Sequence, residues 1–282
     1  MTRMVLLLLL SLSTAARAEI AEEGLILDLD ASKGVEVEEG DRVVKWSNQA
    51  AGFPARDFVQ QDEGREVPGS GRPTLKRSVE AIGGRDTIVF RRQELINHEE
   101  DAFDHLIAGS GYTWFAVLCV YEQIEQLKDV NSFFGNLRNG GNYEGIWGNV
   151  TDDNRVWIGA RNGVTFGRWD QNNPMVLAEE PLTEHRYYVV AGRMAAGTGT
   201  VPIELFINEP QPVASEPFPV NPEADSSKLA IGQERDATNH PGWESFDGEL
   251  ARLLVYERPL ADGELRQTLD ALKHTYTIPA GR

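Results

Sequence analysis

Two stretches carry the side chains best suited to chemistry. One spans residues 138–170 and holds Asn142, Trp147, Asn149, Trp157, Arg161, Asn162, Arg168 and Trp169; the other is Gln233-Glu234-Arg235-Asp236-Ala237-Thr238-Asn239-His240-Pro241-Gly242-Trp243. Sugars present an apolar C–H face and a ring of hydroxyls. A site for them therefore needs an aromatic plate flanked by amides, carboxylates and guanidinium groups that fork two hydrogen bonds. Trp147, Trp157, Trp169 and Trp243 are the candidate plates, and Asn142, Asn149, Arg161, Asn162, Arg168, Asp236, Asn239 and His240 the candidate polar partners. The same residue types have a structural reading: tryptophan is buried in most folds, and Asn-Gly and Asp-Asn pairs are turn formers. Asp152, Asp153, Asn154, Glu234 and Asp236 offer the oxygen atoms that a calcium ion takes, though their spacing matches no calcium loop. If the site were instead that of a polysaccharide-degrading enzyme, Glu144, Asp152 or Glu234 with His240 would supply its acids and bases.

Other reactive constellations are missing from the sequence. It has no Gly-x-Ser-x-Gly, no His-Glu-x-x-His and no phosphate-cradling glycine loop, and its five histidines are scattered. Glu99 to Asp104 is an acidic run whose neighbours do not alternate as a strand, so it reads as a solvated loop or short helix. Cys119, the single cysteine, sits in Thr113-Trp114-Phe115-Ala116-Val117-Leu118-Cys119-Val120, where a small buried hydrophobe is the simplest reading. Formal charge is −17 over 282 residues, a surface that repels phosphate backbones and anionic membranes and disfavours nucleic acid and polyanionic glycans as partners.

The elements that must position these groups are strands. Leu250 to Tyr256 alternates with β-branched and aromatic residues at its centre and is apolar on both faces, as a central strand requires. Pro259 ends it, and Leu265, Leu269, Leu272 and Tyr276 then recur at helical spacing, with Leu260 and Asp262 placed as staple and N-cap. Gly24 to Asp30, Val43 to Trp46, Thr87 to Phe90, Tyr112 to Tyr121, Tyr187 to Arg193, Ile203 to Asn208 and Leu229 to Gly232 read as further strands. Three short strands joined by Asn-Gly and Asp-Asn turns fill residues 138–170. About twelve short strands and one terminal helix predict an all-β fold: two antiparallel sheets packed face to face as a jelly-roll sandwich, with a short C-terminal helix.

The succession of Ile231-Gly232-Gln233-Glu234, a polar loop, Phe246-Asp247-Gly248, the closing strand, Arg258-Pro259-Leu260 and a short acidic helix resembles the end of laminin G-like domains of the concanavalin A-like lectin/glucanase superfamily. The opening Leu29-Asp30-Ala31-Ser32 is similar to the start of those domains, and the resemblance runs over most of residues 24–276. It implies that the first strand pairs near the closing strand, that calcium is a possible cofactor at the rim, and that the function is one of several: lectin, adhesion module, or an enzyme acting on polysaccharide. The reading favoured by the residues is a non-catalytic module that binds a glycan or another extracellular ligand, with a hydrolase or lyase and a protein-binding adhesion module as alternatives. Residues 1–18, with Arg3, a short apolar run and Ala16-Arg17-Ala18, match a secretory signal peptide. Residues 19–282 are then expected to form one exported domain, periplasmic, secreted or at the cell surface, with no membrane insertion after cleavage and with its oligomeric state left open.

Overall fold

The computed structural model describes residues 19–60, 69–124, 130–138, 142–166, 170–234, 243–279 and 281. These residues are almost entirely β. In the first half of the chain the strands are β1 Leu25–Asp30, β2 Val35–Glu38, β3 Arg42–Ser47, β4 Asp57–Val59, β5 Thr74–Val79, β6 Arg85–Arg91, β7 Leu95–Ile96, β8 Tyr112–Val120 and β9 Asn131–Gly135. The second half adds β10 Glu144–Val150, β11 Arg155–Asn162, β12 Val176–Pro181, β13 Tyr187–Met194, β14 Thr200–Ile207, β15 Ala214–Pro219, β16 Ala230–Ile231 and β17 Asp247–Tyr256, followed by the helix α1 Asp262–Thr275. Every strand-to-strand ladder is antiparallel. One run of pairings goes β1 and β6 to β17, then β8, β13, β14 and β15. The other goes β2, β3, β4, β7, β16, β9, β10, β11 and β12, and β5 links the two by pairing with β6 and, at Thr74↔Arg42, with β3.

The closing strand is central, as its two apolar faces require. β17 pairs with β8 from Gly248↔Val120 to Tyr256↔Thr113 and on its other edge with β1 from Leu25↔Tyr256 to Asp30↔Arg252. Arg252 forks onto Asp28 at 2.9 and 2.8 Å, which pins the two ends of the chain together and gives Asp28 a structural role. Asp30 accepts the Ser32 N–H at 2.9 Å, closing the turn after β1.

Alternation along β8 sends its side chains into two different cores. Tyr112, Trp114, Ala116, Leu118 and Val120 join the main core with Phe133, Phe134, Ile146, Val150 and Ile158. Phe115, Val117 and Cys119 join a second core covered by Leu265, Leu269 and Leu272 of α1. Cys119 is buried, and desolvation first, then the Glu249 charge, pushes its thiol up to about 12.

Several elements differ from the sequence expectation. The N-cap of α1 is Ala261 rather than Asp262; Glu264 reaches back to the Ala261 N–H at 2.9 Å, while Asp262 pairs with Arg193 at 2.8 Å. Pro217 and Pro219 lie within β15, because that strand pairs only with β14 and a missing donor is tolerated on an edge. Among the described residues seventeen strands form where about twelve were expected, and residues 163–166 carry none, so the third strand expected in 138–170 is absent from its described part. Among the described residues no helix is long and apolar enough to cross a membrane. Residues 1–18 lie outside the described residues.

Candidate functional site

The hairpin β10–β11 is the frame of the candidate site. Its register runs from Glu144↔Asn162 to Val150↔Val156, so one face carries Ile146, Val150, Val156, Ile158 and Ala160 into the main core. The period of two then puts Trp147, Asn149, Trp157 and Arg161 together on the opposite face. Trp147 and Trp157 meet edge to face with ring centroids 5.6 Å apart, and Val130 and Leu137 complete a small core of their own. Gly159 stands opposite Trp147 because a Cβ there would come within 2.8 Å of the indole.

The second candidate stretch is delivered to this same region through β9. Gly135 lacks the Cβ that would meet the Glu234 carbonyl, and this lets the chain after β16 run alongside: Leu137 N–H donates to Glu234 O at 3.2 Å. Ser132 bridges to Ser245, its N–H donates to Glu244 O at 3.3 Å, and Gln233 Nε2 donates to Trp243 O at 2.8 Å. The two stretches nominated from sequence therefore do lie on one part of the molecule.

Their residues are used differently from the expectation. Trp147 and Trp157 are each 1% exposed, so neither offers a ring to solvent: flat, apolar and flanked by β-strands, they pack as core. Asn149 is fully buried and accepts the Ser132 hydroxyl. Asn142 Nδ2 braces the loop carbonyls of Gly163 and Val164 at 2.9 and 3.0 Å. Asn162 donates to Pro219 O at 2.8 Å and accepts the Val164 N–H at 3.0 Å. Arg161, buried, lies 4.7 Å from the Tyr143 ring centroid and 5.6 Å from that of Trp147. Trp243 is 46% exposed. Arg168, Trp169, Asp236, Asn239 and His240 lie outside the described residues.

The proposed calcium ligands are spread out. Asp152, Asp153 and Asn154 form the β10–β11 turn, where Asp152 accepts Asn131 Nδ2 at 2.9 Å and Asp153 takes the Thr151 hydroxyl and Arg155 Nε. Those partners, the Thr151 hydroxyl foremost, hold the Asp153 carboxyl below its usual range. Asn154 donates to Tyr121 O at 3.0 Å. Glu234 is buried against Gly135 and Leu137, at the opposite end of β9 from Asn131, and Asp236 lies outside the described residues. The turn and Glu234 are thus not brought together.

No family model and no curated protein matches this chain in sequence. Solved structures do match in shape. Domain 4 of AbnA, a GH43 extracellular arabinanase from Geobacillus stearothermophilus solved in complex with arabinotriose, is 15% identical; the match covers 88% of this chain and 100% of that domain with a TM-score of 0.54. A Trypanosoma rangeli sialidase solved in complex with sialic acid is 16% identical over 89% of this chain and 33% of its own, with a TM-score of 0.51. This chain spans about a third of that sialidase. At such identities the likeness is one of fold.

The structure also gathers residues that sequence reading passed over. Phe166 is 59% exposed and stacks on Tyr143 at 5.1 Å, with Arg161 beneath the tyrosine. Reading Val164-Thr165-Phe166 as a strand hid this, since a strand would have turned Phe166 inward. Beside this loop Glu144 accepts the Asp225 N–H at 2.6 Å, and the carboxylates of Asp101, Asp104 and Asp225 converge within 4.8 Å of one another. Desolvation, reinforced by the Asp225 charge, pushes Asp104 up to about 6. Asp101 and Asp104 belong to the acidic run read as a solvated loop or short helix, where Asp104 opens a 3-10 turn, and nothing local in the sequence announces that Asp225 joins them.

A larger cleft, about 640 Å³, is lined by Arg91, Tyr121 and His185 among others. Its aromatic face is already occupied: Arg91 lies 4.2 Å over the Tyr121 ring, His185 packs at 4.9 Å, and the Tyr121 hydroxyl is bound to Glu249. The buried Glu249 also takes the Tyr187 hydroxyl and, at 2.8 Å, the exposed Lys76 ammonium. The loop carrying Phe166, by contrast, leaves its aromatic ring exposed.

Proposed function

We propose that this chain is an exported, non-catalytic laminin G-like module, residues 19–282, whose two β layers form a jelly-roll sandwich and whose rim binds a neutral oligosaccharide. The fold part of this reading is supported by the two runs of strand pairing, by the main core that draws on both of them, and by the likeness to domain 4 of the arabinanase. The observation that carries the binding part is Phe166: an exposed aromatic ring held from behind by Tyr143, next to amide-braced loop carbonyls and an acidic edge. A ring fixed in this way stacks on a pyranose or furanose face at little cost in side-chain freedom. Trp243 supplies a second exposed ring on the other stretch.

The net charge of −17 favours neutral sugars over sialosides, whose carboxylate the surface repels. The hydrolase alternative has less to stand on. Among the acids it needs, Glu144 is bound to the Asp225 backbone and Asp152 to the Asn131 side chain, so both carboxylates already hold structural hydrogen bonds.

A glycan array spanning arabino-, xylo- and gluco-oligosaccharides and sialosides tests this reading. Retention of at least one neutral class is expected, and Phe166→Ala lowers affinity about tenfold, the equivalent of one stacking contact of about 1.4 kcal/mol. An array on which the wild type retains no neutral glycan ends the proposal. Release of reducing ends from any of the same oligosaccharides would replace it with the hydrolase.

A further inference from the structure

The cleft of about 640 Å³ beside the ends of β6 and β8 carries charge of both signs on fixed walls. Arg91 closes β6 opposite Asp247 of β17, Tyr121 to Ile124 run on from β8, and Glu184 and His185 lead into β13. Gln123 holds the extension of β8: its Nε2 donates to Tyr121 O at 2.9 Å and to Asp247 O at 2.8 Å, and its Oε1 accepts the Asp247 N–H at 3.1 Å. The facing wall is tied to the same strand, since the His185 N–H donates to Val120 O at 2.9 Å.

Arg91 is oriented from below without being used up. Its guanidinium lies 4.2 Å over the Tyr121 ring, which His185 packs at 4.9 Å, and the buried Asp247 places Oδ1 3.7 Å from Nη1. That separation makes an ion pair and is too long for a hydrogen bond. The Arg91 side chain is 56% exposed, so a stacked, pre-set fork of N–H donors lines the cleft. Glu122 and Glu184 line the same cleft; both are exposed, and neither has an ion pair or hydrogen bond among the described residues. Ile124, 50% exposed, adds an apolar patch. Exposed acids are ordinary one at a time. Here two of them share one concavity with an oriented guanidinium and an uncovered aliphatic side chain.

We infer that this cleft binds a short zwitterionic peptide, with Arg91 forking the terminal carboxylate, Glu122 and Glu184 taking the terminal ammonium, and an apolar side chain covering Ile124. A ligand that is only anionic meets two uncompensated carboxylates, and one that is only cationic meets the guanidinium; a ligand with one charge of each sign satisfies both walls. The planar fork matches a carboxylate in particular, because two parallel N–H···O bonds form at once. Pockets of about 300–1,000 Å³ hold drug-sized molecules, so two or three linked amino acids fill this cleft where a single one does not. The inference stands apart from the glycan reading, because the cleft and the Phe166 loop share no residue and the peptide is measured with no sugar present.

The test is calorimetric titration of the full chain, at neutral pH, with dileucine, N-acetyl-dileucine, dileucine amide and free leucine. Wild type binds one dileucine per chain, and blocking either end lowers affinity about tenfold or more, the loss of one charge-assisted contact. Free leucine binds more weakly than dileucine. The double variant Glu122→Gln, Glu184→Gln weakens dileucine about tenfold yet leaves N-acetyl-dileucine unchanged, since that ligand has no ammonium to lose. Arg91→Lys keeps the charge beside Asp247 and loses the fork, so dileucine weakens severalfold and dileucine amide does not. Neither glutamate has a partner to leave stranded, so the double variant melts with wild type, which separates loss of the ligand from loss of the fold. No heat with dileucine up to about 10 mM, equal affinity for the blocked peptides, leucine as tight as dileucine, or wild-type affinity in the double variant each overturns the inference.

Discussion

Two arginines, Arg161 buried and Arg252 only partly exposed, divide the molecule. Arg252, in the middle of β17, is met by the forked Asp28 carboxylate at 2.9 and 2.8 Å, with Asp30 behind it. Arg161, at the end of β11, lies instead against the rings of Tyr143 and Trp147. The first is a closed ion pair between the head and tail of the chain. The second supports an aromatic stack whose outer member, Phe166, is open to solvent. The difference teaches where this fold spends its polar groups: at the seam they lock strands, and at the rim they stiffen a surface that leaves Phe166 exposed among the described residues.

That contrast can be broken by mutation. Arg252→Ala strands Asp28 with its charge half-buried and is expected to cost about 3–5 kcal/mol in urea unfolding, while glycan retention per folded molecule is unchanged. Trp147→Ala, although it sits in the candidate region, belongs with the scaffold and costs about 3–5 kcal/mol for the cavity it leaves. Phe166→Ala should change stability by less than about 0.5 kcal/mol and fall only in binding. If Trp147→Ala lost glycan with its stability intact, the division between buried indoles and exposed phenylalanine would be wrong.

The smallest effect sharpens the seam side. Glu264 bonds Arg258 through both oxygens at 2.8 and 2.7 Å and caps Ala261, which lowers its carboxyl to about 2 from an ordinary 4.5. A depressed folded value means that this stabilisation is fully present above pH 4.5 and is lost as pH falls through about 2. The pair is partly exposed, so the loss is about 1 kcal/mol or less. Glu264→Gln should flatten that part of the acid-unfolding curve while leaving the rest intact.

The seam was legible in the sequence because its signals are local and repeated. Alternation marked β17, the 3.6 spacing of Leu265, Leu269 and Leu272 marked α1, and both were found where expected. The edge strand β15 was obscured by its prolines; β2 alternates as Val-Glu-Val-Glu but is only four residues long, and β5 and β12 are too polar to alternate clearly. The candidate region was legible as a place: the β10–β11 hairpin and the chain at Gln233, Glu234 and Trp243 do lie on either side of β9. Its working side chains were not. Trp147 and Phe166 are both aromatic residues among glycines and asparagines, and what separates them is whether the backbone at each position joins a ladder. That is decided by long-range pairing, which composition does not report. The convergence of Asp225 on Asp101 and Asp104 is of the same kind.

The central claim is that ligand meets the rim and leaves the seam untouched. The most direct measurement is a titration of the ¹⁵N-labelled protein, by NMR, with the neutral oligosaccharide that the array selects. The account predicts amide shifts concentrated at residues 142–146, 161–166 and 243–245, with residues 25–30 and 250–256 still. Shifts centred on the β1–β17 seam, or on the cleft at Arg91, Tyr121 and His185 with the rim silent, would contradict it.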